Sequence, residues 1–120
     1  MKSSRGDRLL LQDILDSIAE VIGTAPDTEA EFDSNKLVQS HVLRHIQIIG
    51  EAAWRVTAPV KSGHPEVPWK KIEGMRHVLV HDYFKVNWAR VYETARNHVP
   101  PLKPQIEAIL NSLPPDPIVT

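Results

Sequence analysis

The sequence predicts an all-α fold, an up-and-down bundle of four or five helices. Clusters of Gly and Pro cut the 120 residues into segments. Within the segments, apolar residues recur at three- and four-residue spacing, the period of an amphipathic helix. No segment alternates apolar and polar residues as a half-buried strand does. The length suits one domain, expected over residues 1–113, with the proline-rich end, residues 114–120 (PPDPIVT), as a disordered tail.

The first helix is expected from about Asp7 to Ile22. Leu10, Leu11, Ile14, Leu15, Ile18, Val21 and Ile22 share one face, Asp13, Asp16, Ser17 and Glu20 the other, and Gly23 supplies a stop. A long second helix follows, from about Ser34 to Val56, capped by Asp33 or Ser34. Its stripe of Val38, Val42, Ile46, Ile49 and Ala53 is widened by Leu37, His41, His45, Ile48 and Ala52. So broad an arc needs more than one neighbour, and a second copy of the chain can supply one. Residues Ala58 to Pro68 read as a proline-rich loop, and Pro68 opens a third helix reaching about His81. Asn87 caps a fourth, Trp88 to about His98, which Pro100 and Pro101 end; a last helix spans roughly Pro104 to Leu113.

Composition excludes several classes of function. A net charge of −1 and a pI near 6.6 do not suit a protein that coats nucleic acid, so any such contact must come from a local patch. The absence of cysteine removes disulfides, thiol catalysis and cysteine-based metal sites. The N-terminal MKSSRGDR is polar, and no run is apolar and long enough to span a bilayer, so a cytoplasmic protein without membrane contact is expected. No phosphate-loop motif supports a nucleotide-binding bundle. His41 and His45 have the i, i+4 spacing of metal ligands, but no third ligand is near in sequence. They read as packed or interface residues, and no metal is expected. Trp54, Trp69 and Trp88 read as packing residues.

The chemistry concentrates in residues 74–84, GMRHVLVHDYF. On a helical projection Ile72, Met75 and Leu79 point to the core. Lys70, Gly74, His77 and His81, with Phe84 beside them, lie opposite, and Arg76 and Tyr83 take a third direction. Arg76 and His81 stand about 140° apart around the helix. A second copy across a twofold axis would bring two such sets around one cleft.

Arg76-His77-x-x-x-His81-x-Tyr83 resembles the R-x-x-x-x-H-x-Y signature of the HEPN superfamily, specifically its HepT-like toxin branch. IIGEAAWRV, residues 48–56, is similar to the family's second-helix signature, and PWKKIEGMR, residues 68–76, to its third-helix entry. His77 stands where the family usually has another polar residue, often Asn. The resemblance implies a HEPN-like homodimer and a toxin ribonuclease that cleaves RNA (tRNA or mRNA) without metal or other cofactor at a dimer-interface cleft. It further implies neutralisation by a minimal nucleotidyltransferase antitoxin, through AMP transfer (AMPylation) to Tyr83. The residue chemistry fits: an imidazole such as His81 can move protons near neutral pH, and the Arg76 guanidinium can clamp a phosphate. His77 can assist either role, and Lys70 can extend the basic strip toward RNA. The alternative is a non-catalytic helical module that keeps the fold and binds a partner.

Overall fold

The computed structural model describes residues 4–78 and 85–114. Among them are seven α-helices: α1 (Ser4–Thr24), α2 (Glu29–Asp33), α3 (Lys36–Arg55), α4 (Ala58–Gly63), α5 (Trp69–Val78), α6 (Trp88–Glu93) and α7 (Leu102–Ser112). A π-helical turn, Thr94–His98, continues α6. The expected all-α bundle is therefore what the chain forms. No helix among the described residues is long and apolar enough to cross a membrane.

The central element is α3, which packs along α1 on one side and α5 on the other. Leu11, Ile14, Ile18 and Val21 of α1 meet Val42, Ile46, Ile49 and Ala53 of α3, all without solvent exposure. Each large aliphatic side chain buried in this way contributes roughly 1.5–3 kcal/mol. The predicted face of α1 is narrower than expected. Ile22 is exposed, and Ser17, placed on the polar face, is buried because its hydroxyl finds a partner on α3.

Two short helices depart from the sequence expectation. α2 sits where a connection was expected. Thr28 Oγ1 accepts from the Glu31 amide and donates to the Glu31 carboxylate, so the four-residue T-x-x-E spacing starts a helical turn. The turn buries Phe32 between Trp88 and Tyr92, with ring centroids 6.1 and 5.2 Å away. Asp33 and Ser34 belong to the end of this turn, and the cap of α3 is Asn35, whose side chain accepts from the Val38 amide at 3.1 Å. The expected loop from Ala58 to Pro68 begins instead with α4. Its first turn is held from α1: the buried Asp7 carboxylate accepts from the Thr57 amide at 2.9 Å and the Thr57 hydroxyl at 2.6 Å. A carboxylate at a helix N-terminus also opposes the helix dipole favourably.

α6 starts as expected, with Asn87 accepting from the Arg90 amide. The expected single helix to His98 instead widens at Thr94, where the Val99 amide bonds the Thr94 carbonyl five residues back. α7 returns alongside α1, and Arg8 donates to the carbonyls of Leu110, Leu113 and Pro114 at 3.2–3.3 Å, satisfying the end of that helix.

Candidate active site

The third helix anchors as its pattern requires. Ile72 and Met75 are buried, while Lys70 and His77 are exposed. What fixes α5 most tightly is a glycine on its neighbour. A Cβ built on Gly50 of α3 would collide with the backbone nitrogen of Arg76 and lie 2.8 Å from the carbonyl carbon of Met75. The missing side chain thus lets the two helix backbones touch at the residue that opens the R-x-x-x-x-H pattern.

One turn beyond Gly50, Trp54 covers Arg76. The guanidinium carbon lies 4.2 Å from the centroid of the indole, a close cation–π contact. Expected to be a packing residue, Trp54 is 52% exposed, so its outer face is open to solvent. The Arg76 Nε is buried and has no hydrogen-bond acceptor among the described residues. A guanidinium carries five N–H donors, and stacking satisfies none of them. A buried donor without an acceptor costs about 1–3 kcal/mol, more for a charged group.

The support beneath this arrangement is an ion pair. Lys61 of α4 donates to Glu73 of α5 at 2.7 Å and lies 3.4 Å from the Trp54 carbonyl oxygen, so α4 staples the end of α3 to α5. Both side chains are about four-fifths covered, which shields the pair from solvent.

Lys70 lies elsewhere on α5. With Lys71, Gly74, Arg90, Thr94 and His98 it lines an open groove of about 260 Å³ between α5 and the α6 π-turn. Glu93 contributes a carboxylate to the same groove. Arg76 is not among its lining residues, so within one chain Lys70 and Arg76 face different spaces. His81 and Tyr83, with Leu79 and Phe84, lie outside the described residues. Of the proposed catalytic set, Arg76 and His77 are described: the first is half-buried beneath Trp54, the second is exposed.

The rings of His41 and His45 lie against each other, centroids 4.5 Å apart, with the His41 side chain partly exposed. Burial, then the nearby His41, lower the pKa of His45 below the ordinary 6.5. Sequence reasoning missed the roles of Gly50 and Trp54 around Arg76. The available signal was their four-residue spacing on α3, which puts both on one side of that helix.

The family model described as ribonuclease HepT-like matches residues 12–109. An RNase candidate of Methanocaldococcus jannaschii is 34% identical over 110 residues, covering 91% of this chain and 95% of the relative. A second from the same organism is 33% identical over 110 residues, 91% of each. The probable ribonuclease HepT of Thermococcus cleftensis is 34% identical over 103 residues, covering 82% of this chain and 94% of that protein. No solved structure matches the chain. A match over this much of the sequence, joined to the helical bundle, makes the chain a member of the HepT-like ribonuclease family of HEPN proteins.

Proposed function

We infer that this protein is a metal-independent endoribonuclease and the toxin of a toxin–antitoxin pair, acting as a homodimer. The observation that carries the reading is Arg76: a guanidinium stacked under Trp54, with a buried Nε that finds no acceptor among the described residues, at the first position of the R-x-x-x-x-H pattern. Family membership supplies the reaction class.

In this reading the phosphodiester of a bound RNA sits against the Arg76 guanidinium. His81 removes the proton from the ribose 2′-OH or delivers one to the departing 5′ oxygen. The 2′ oxygen attacks phosphorus, the bond to the 5′ oxygen breaks, and the products are a 2′,3′-cyclic phosphate and a 5′-OH. Charge builds on the non-bridging oxygens in the transition state, where a fixed guanidinium is most effective. His77, exposed on the same helix, assists proton transfer or holds the RNA. Two subunits related by a twofold axis bring their Arg76 and His81 sets around one cleft. Control falls to a nucleotidyltransferase antitoxin that places AMP on Tyr83; the added phosphate charge competes for Arg76 and closes the cleft to RNA.

Purified protein incubated with RNA in the presence of a chelator tests the core of this reading. Cleavage should persist with EDTA and fall by roughly 100-fold or more in Arg76→Ala and His81→Ala, with helical content unchanged. An inert wild type would favour the non-catalytic partner-binding module. Co-expression with the cognate nucleotidyltransferase should add the mass of AMP, and Tyr83→Phe should remove that gain.

A further inference from the structure

We propose that Glu20, His41 and His45 form a zinc-binding site across the seam between α1 and α3. Each offers one ligand atom, and the three atoms lie within 4.8 Å of one another. His41 and His45 project from successive turns of α3, the spacing at which two imidazoles on one helix share a metal. The third ligand is on another helix, 21 residues away from His41, which is why the spacing of the histidines alone does not reveal it.

The geometry is close to closed. Ligand atoms about 2.0–2.1 Å from a tetrahedral zinc stand roughly 3.3 Å apart. Glu20 Oε1 and His41 Nε2 are at 2.8 Å, already bonded to each other where an ion would take both. The side chains of Glu20 and His41 are 52% and 38% exposed, so a small rotation of either draws the set together without disturbing the core.

His45 is the fixed member. Its Nδ1 stands 2.9 Å from the Oγ of Ser17, a residue buried in the α1 face. In the tautomer whose Nδ1–H donates to that hydroxyl, Nε2 carries the free lone pair. Metal-binding histidines are typically held in this way, with the second ring nitrogen bonded to a neighbouring acceptor. Two imidazoles and one carboxylate suit zinc and leave a fourth position for water. The ion would tie α1 to α3 on the side of α3 that serves α1, whereas Arg76 sits on the α5 side. The site is therefore independent of the cleavage reaction.

The test uses full-length protein stripped with chelator and titrated with Zn²⁺ by calorimetry, then with Co²⁺ by visible absorption. We expect one Zn²⁺ per chain, a rise in the unfolding temperature, and Co²⁺ bands of four-coordinate intensity. Glu20→Gln and His41→Gln, both at partly exposed positions that leave the core intact, should each weaken binding by at least about tenfold. His45→Gln should do the same, while His64→Gln should change nothing. The proposal is overturned if the wild type shows no saturable binding, or if binding is unchanged in Glu20→Gln and His41→Gln.

Discussion

Gly50 and Gly74 are both helical, and they lie on the two helices that frame the candidate site. Gly50 has no room. Any side chain there would strike the backbone of Met75 and Arg76. Gly74 has nothing among the described residues within 4 Å of where a Cβ would stand. The first glycine is required by packing inside the chain. The second weakens its helix by roughly 0.5–1 kcal/mol relative to alanine, with no gain inside the described chain. A glycine pressed against its neighbours and a glycine in open space make different demands: one holds Arg76 in place, the other leaves room on the α5 wall of the groove facing the π-turn.

The sharpest way to break this contrast is Gly50→Ala. Forcing α3 and α5 apart should cost about 3 kcal/mol, at the upper end of overpacking effects, because the clash is with backbone rather than a flexible side chain. Denaturant unfolding measures that loss, and an effect below about 0.5 kcal/mol would mean that the two helices slide apart freely. Trp54→Ala should have an intermediate effect. It removes the stacking partner of Arg76 and should lower stability by about 1 kcal/mol. Because the guanidinium then loses its fixed direction, RNA cleavage should fall by roughly tenfold, with much of the loss recovered in Trp54→Phe. Gly74→Ala should be the mildest, raising stability by roughly 0.5–1 kcal/mol in thermal unfolding. Its informative readout is cleavage: an unchanged rate would leave Gly74 without an external contact, whereas a slower, more stable enzyme would place RNA or the second subunit against that surface.

Much of the architecture was legible because the long helices carry their instructions locally. The stripe of Val42, Ile46, Ile49 and Ala53 needs only the helical period to be read, and Asn87 announces its cap by position. The two short helices were hidden by different causes. α4 contains a proline and is stabilised from 50 residues away, by Asp7, so its own stretch of sequence does not encode it. α2 was legible in principle from Thr28 and Glu31, but five residues carry too few turns to show a period. The candidate site was legible as a motif and opaque as a geometry. Arg76 could be singled out from its spacing to His81 and Tyr83. That it lies under Trp54, against Gly50, and braced by Lys61 and Glu73 is a property of three helices meeting, and no single stretch records it. The same holds for Glu20, which joins His41 only after α1 and α3 pair.

The widened turn at Thr94–His98 has a consequence for how this fold tolerates change. Its buried threonine returns its hydroxyl to the Arg90 carbonyl at 2.8 Å, and Val91, Ala95 and Val99 remain inside on either side of the bulge. A bulge of this kind holds one surplus residue within an otherwise regular coil. Shortening the segment by a single amino acid should therefore restore an ordinary coil while Val91 and Val99, on either side of it, stay in register with the core. The turn is thus a place where the chain can lose one residue without repacking its interior.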